Sequence, residues 1–242
     1  MTELTAKQPL WSAEATSFIG TISGQLPRNS PQSPQRMKKI WSIASALSGN
    51  IVRTRGNSAG GAVYLTFDDG PHPEHTARLL DLLAKFDAKG SFFMVGKTVA
   101  QAPDLVRRML AEGHTIGNHS MTHPKMRTLG AAAQRREIEA ADAVLERQDG
   151  RRRHPYRPPN GAVTLPMMTH SLWHRQPLVL WTIDSLDYKL AADQVIDRLT
   201  TVTPPRPGDV ILFHDDGACA GRALEALLPV WKQAGLRFAA VN

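Results

Sequence analysis

The sequence predicts an α/β fold in which short parallel strands alternate with amphipathic helices. Three observations carry this: brief apolar runs recur from residue 62 onward, leucine-rich stretches of helical spacing separate them, and polar loops follow the strands. The pattern admits an open doubly wound sheet and a closed barrel equally, because both bury parallel strands beneath helices.

In chain order, Ala62-Val63-Tyr64-Leu65-Thr66-Phe67 is β-branched and aromatic enough to be a buried strand, which Gly70 and Pro71 end. A helix is expected over residues 74 to 86, where Ala77, Leu79, Leu80, Leu82, Leu83 and Phe86 fall on one face and Thr76 stands near the start as a cap. A strand over 90 to 95, a helix over 98 to 111 entered through Pro103-Asp104, a strand over 114 to 116 and a long helix over 129 to 148 continue the alternation. Later strands are expected at 178 to 183, 210 to 213 and 236 to 241, with helices over 191 to 202 and 221 to 233 between them. No Gly-rich fingerprint follows any strand, which argues against dinucleotide or P-loop chemistry.

The net charge of +7 sits mostly outside this pattern. Residues 1 to 60 carry seven Lys and Arg against Glu3 and Glu14, leaving the rest nearly neutral and arguing against nucleic acid as a partner. Arg151-Arg152-Arg153 follows a helix, where cations meet the C-terminal dipole. Residues 27 to 35 are polar and Pro-rich and cannot bury enough surface to order themselves. The expected organisation is therefore a basic, flexible or partly helical arm over 1 to 60 and one catalytic domain over 61 to 242. Met37-Lys38-Lys39 followed by the apolar residues 40 to 47 resembles a secretory signal but is internal and lacks a small-x-small cleavage site; a short amphipathic helix on the domain or a lipid surface is the competing reading. A cytoplasmic location is expected, membrane-peripheral placement and export from Met37 staying open. No apolar run approaches the roughly 18 residues of a membrane-spanning helix. One cysteine, Cys219, precludes intramolecular disulfides and thiolate zinc clusters, so a metal would rest on His and carboxylate.

Ionisable residues stand where the strands run out. Asp68 and Asp69 are adjacent, His119 and His123 are four apart as one helical turn would place them on a common face, Arg157 opens a rigid Pro158-Pro159 loop, Asp184 and Asp187 follow the strand over 178 to 183, and His214 ends the one over 210 to 213. The acid pair alone reads equally well as a turn, and each of the others alone reads more readily as a turn, cap or loop residue. Together they occupy the C-terminal face on which parallel α/β folds assemble their sites.

In this order and spacing, Thr66-Phe67-Asp68-Asp69-Gly70-Pro71, His119-Ser120-x-x-His123, Arg157-x-Pro159, Asp184-x-x-Asp187-Tyr188 and Leu212-x-His214 resemble the five motifs of the polysaccharide deacetylases, carbohydrate esterase family 4, over residues 62 to about 241. Within it the chain is similar to the small bacterial chitooligosaccharide deacetylases. The resemblance implies a distorted (β/α) barrel of about seven parallel strands and hydrolysis of the N-acetyl group of an amino sugar in an oligo- or polysaccharide. It implies a divalent metal, zinc before cobalt, nickel or manganese, held by Asp69, His119 and His123. Asp68 is then the general base, held by Arg157, and His214 the general acid, tuned by Asp187. The backbone N–H of Asn160 stabilises the oxyanion, with Tyr188 and Leu212 on the substrate side. Asn160 stands where the family usually has an aromatic residue and Tyr188 where it usually has Trp, which leaves the sugar open rather than the reaction type. His72 and His75 read as turn and helix-start residues. Two alternatives share these residues: a deformylase or amidase acting on a lipid-linked sugar or small cyclic amide, and a noncatalytic carbohydrate-binding domain.

Overall fold

The structure, a computed structural model, describes residues 51–241. The arm through residue 50, with its expected short helix at 40 to 47, lies outside the described residues. Residues 51 to 60, assigned to the arm by the sequence division, lie against the domain: Val52–Arg53 (β1) pairs with Leu178–Val179 (β5), and Arg55 forms an ion pair with Asp209 at 2.9 Å.

The central strand is Ala62–Asp68 (β2), buried at all seven positions. Gly90–Met94 (β3) and Val210–His214 (β7) flank it in parallel, Thr115–Asn118 (β4) pairs outside β3, Ile183–Asp184 (β6) outside β7, and Arg237–Phe238 (β8) adds a short pairing to the start of β2. Single-residue bridges through Tyr156 join β4 to β5. The expected strand over 178 to 183 is broken: its first part pairs towards Tyr156 and its second with β7, and Leu180 to Thr182 absorb the change of partner. This broken segment carries the sheet round into a distorted barrel.

Helices cover the outside. His75–Lys85 (α1) buries Leu79, Leu80 and Leu83. The expected helix over 98 to 111 is two, Gly96–Val99 (α2) and Pro103–Ala111 (α3), because a residue before proline is driven out of the helical region and Ala102 sits at φ −136°, ψ 54°. Ala131–Asp149 (α4) ends on the left-handed Gly150, with Arg151 and Arg153 near its last turns as the charge pattern predicted. Leu165–His174 (α5) was not legible, since exposed Leu165, Leu172 and Trp173 blur its apolar periodicity. Ala192–Asp197 (α6) runs into a π-turn, and Cys219–Gln233 (α7) packs six buried residues inward.

Strand alternation sorts the interior into two environments. Val63, Leu65 and Phe67 of β2 point outward with Phe92, Ile211 and Phe213 into the main apolar core under the helices, where Phe67 stacks on Phe92 at 5.0 Å and on Phe213 at 6.0 Å. Ala62 and Tyr64 point inward with Phe93, Val179 and Val210 and plug one end of the barrel. Thr66 and Asp68 continue that inward series towards the other end, in register with Leu212 and His214 of β7.

Candidate active site

The C-terminal ends of β2, β4 and β7 open into a cleft of about 280 Å³. Asp68 reaches it as the last inward residue of β2. Its neighbour Asp69 would by alternation point under α1, but its left-handed φ of 76° turns the second carboxylate back beside the first. The turn that follows is held from behind: buried Asp215 accepts the Gly70 N–H at 3.0 Å and the Thr76 hydroxyl at 2.5 Å. Thr76, expected as a helix cap, instead lies inside α1 and is spent on this contact and on accepting the His72 N–H. His72 and His75 fall in the turn and at the helix start, as read from the sequence.

His119 and His123 converge without a helical turn between them. Pro124 disfavours helix at His123; the chain instead turns through left-handed Ser120 (φ 68°) and His123 (φ 53°), pinned by Asn118 Oδ1 and Ser120 Oγ accepting backbone N–H groups. His119 Nδ1 donates to the Arg157 carbonyl at 2.7 Å, which turns Nε2 inward. Asp69 Oδ1 lies 3.5 Å from His119 Nε2 and 3.3 Å from His123 Nε2, and it is buried with no hydrogen-bond partner. Two zinc–ligand bonds of about 2.1 Å meeting tetrahedrally span about 3.4 Å. The spacing, the donor set and the orphaned oxygen all fit a divalent ion. Burial holds His119 in the neutral form that ligates metals.

Asp68 presents one oxygen to each side. Oδ1 accepts from Arg157 Nη1 at 2.7 Å, while Oδ2 lies 3.7 Å from His119 Nε2. Arg157 is fully buried, donates to Thr66 Oγ1, Val179 O and Leu180 O as well, and lies 4.1 Å over the Phe93 ring. Burial raises the Asp68 pKa, with Arg157 and His214 pulling against it. Across the cleft, His214 shares Nδ1 with Asp187 Oδ1 at 2.8 Å and donates its backbone N–H to Asp187 Oδ2 at 2.8 Å; Ser185 Oγ donates to the same carboxylate. Burial lowers the His214 pKa, but Asp187 and the two acids opposite outweigh it and bring it to about 9.

The remaining expected residues border the same space. Asn160, left-handed at φ 55°, follows Pro159; Leu212 forms the floor; Tyr188 is half-exposed at the rim, its hydroxyl donating to Asp184 Oδ2 at 3.2 Å and its ring edge-on to His214 at 5.2 Å. Two further lining residues, Trp181 and Asp216, escaped the sequence reading. Trp181 stands two positions after inward-facing Val179, a signal the break in that strand obscures.

Residues 55–172 match the family model described as Polysaccharide deacetylase. A chitooligosaccharide deacetylase of Sinorhizobium fredii is 36% identical over 171 residues, which cover 69% of this chain and 78% of that one. The chain belongs to the polysaccharide deacetylase family. Among solved structures, a peptidoglycan N-acetylglucosamine deacetylase superposes with a TM-score of 0.75 at 29% identity, covering 81% of this chain and 94% of that one. A family 4 carbohydrate esterase from Streptomyces lividans, solved with acetate, gives 0.69 at 31% identity over 75% and 93% of the two chains. As a polysaccharide deacetylase this chain departs from the expected motifs at Asn160 and Tyr188, and both line the cleft.

Proposed function

We propose that the chain is a metal-dependent N-deacetylase that hydrolyses the acetamide of an amino sugar within an oligo- or polysaccharide, giving acetate and a free amine. The observation that carries this is the buried, unpartnered Asp69 Oδ1 between two imidazole nitrogens, with a carboxylate and an imidazole on either side of the same cleft. Chitooligosaccharide and peptidoglycan N-acetylglucosamine deacetylases among the relatives, and an acetate complex in a neighbour, support the substrate class.

Asp69, His119 and His123 hold the ion, with zinc the favoured occupant; bound there, it supplies Lewis acidity to the amide carbonyl and to water. The protons are moved by the chain. Asp68, kept ionised by Arg157 yet made more basic by burial, takes a proton from the attacking water through Oδ2. His214, protonated by virtue of Asp187, gives a proton to the nitrogen as the C–N bond breaks, so that the amine leaves neutral. The Asn160 N–H receives the developing oxyanion and Leu212 backs the acetyl group. Tyr188, half-exposed at an open rim, suits a sugar chain laid across the cleft better than a small cyclic amide enclosed in it.

The test pairs two variants with acetate release from N-acetylglucosamine oligomers. Asp68→Asn is expected to keep the ion bound in this cleft while turnover falls about 10²–10⁴-fold; His119→Ala is expected to lose that ion. Wild-type turnover in Asp68→Asn would remove the base from the scheme.

A further inference from the structure

A second group of metal-ligating side chains converges away from the cleft. His170 and His174 lie four apart on α5, and Glu139 of α4 faces them; one ligand atom from each lies within 4.8 Å of the others. The two imidazoles are 4.3 Å apart between ring centroids, closer than the 5.0 Å of His119 and His123. A helical turn brings residues i and i+4 to a common face, so α5 does here by regular geometry what strained turns do at the cleft.

The second observation is an orphaned donor set. His170 is 4% exposed, and neither of its ring nitrogens has a hydrogen-bond partner among the described residues. A neutral imidazole carries one donor and one acceptor, and leaving either unmet in a buried setting is costly. Asp69 Oδ1 shows the same signature in the cleft. An ion between α4 and α5 would take the lone pair of one His170 nitrogen, while half-buried His174 and exposed Glu139 have the freedom to close on it and leave positions for water. Two imidazoles and one carboxylate select a borderline divalent transition metal over magnesium or calcium, which prefer all-oxygen sites.

We infer that Glu139, His170 and His174 form a second, structural site for a zinc-type divalent ion that ties α5 to α4. The inference is independent of the deacetylase reading, since none of the three residues borders the cleft.

Chelator-stripped protein titrated with Zn²⁺ alone should take up two equivalents. His119→Ala should keep one, and that remaining equivalent should disappear in His119→Ala combined with His174→Ala or with Glu139→Ala. Because Glu139 is exposed and His174 half-buried, these substitutions leave the core intact. In the His119→Ala background, Zn²⁺ at a hundred times its dissociation constant should raise the melting temperature by roughly 5–10 °C, and the added His174→Ala should abolish the rise. In the otherwise wild-type chain, Glu139→Ala should leave acetate release unchanged when metal is replete. The inference is overturned if stripped wild-type protein binds a single equivalent, or if the equivalent retained by His119→Ala survives both Glu139→Ala and His174→Ala.

Discussion

Asp187 grips His214 by both ring and backbone, and its charge is what keeps the imidazole protonated despite burial. A general acid works only while it holds its proton, so activity is expected to fall as pH rises through the His214 value of about 9. Asp187→Asn removes the countercharge and leaves burial as the stronger influence. The alkaline limb of kcat/KM should then move down by roughly 1–2 pH units, and a pH–rate profile in which that limb stays put would show that His214 is not the acid. That these residues gather round one cleft was legible because ionisable groups interrupt the apolar pattern just where strands run out or loops begin. Asp215 was not: its identity was visible, but only the folded turn reveals that it faces the Gly70 N–H and Thr76 rather than the cleft.

At the scale of elements, the site depends on how β2 hands over to α1. A Cβ on Gly70 would lie 2.1 Å from Asp215 Oδ2 and 2.3 Å from Oδ1, and that carboxylate is buried and doubly hydrogen-bonded, so it has nowhere to retreat. Gly70→Ala should cost about 2–4 kcal/mol in denaturant unfolding and weaken metal binding at Asp69; an unchanged unfolding midpoint would mean the turn is pliant. Strand and helix order was readable from apolar periodicity because the outward residues of each strand join one continuous core. The break at Leu180 to Thr182 was not, since one apolar run serves two different partners and only the pairing distinguishes them. The convergence of His119 and His123 was foreseen by spacing, but by the wrong geometry, because left-handed φ angles at non-glycine residues leave no mark in composition.

For the whole molecule, two buried groups give stability opposite pH dependences over the same range. His114, its ring accepting the Gly90 N–H at 3.0 Å, is pushed by burial and Lys89 from 6.5 to about 4, so its contribution is present above about 6.5 and is lost as pH falls towards 4. Asp215, raised by burial to about 7, holds a proton that the unfolded chain has already released above 3.8, so its contribution is present at low pH and is lost as pH rises to 7. His114→Asn preserves an acceptor for Gly90 and removes only the first dependence. Its melting temperature should therefore fall less than that of the wild type between pH 7 and pH 5; an equal fall would place the acid sensitivity elsewhere. Closure of the sheet was beyond sequence, since open and closed parallel sheets ask the same alternation of each strand, and it is the bridges through Tyr156 that decide it.

The two-sided sorting of β2 also bears on which genetic changes the chain tolerates. Losing Thr66, Phe67 or Asp68 would move every earlier side chain of that strand on by one place, delivering Leu65 to the place of Thr66 beneath the Arg157 guanidinium and the hydroxyl of Tyr64 or Thr66 to the apolar layer under α1. Catalysis and folding would fail together, so in-frame deletions recovered from a library screened for acetate release should be absent from these three positions even where conservative replacements survive.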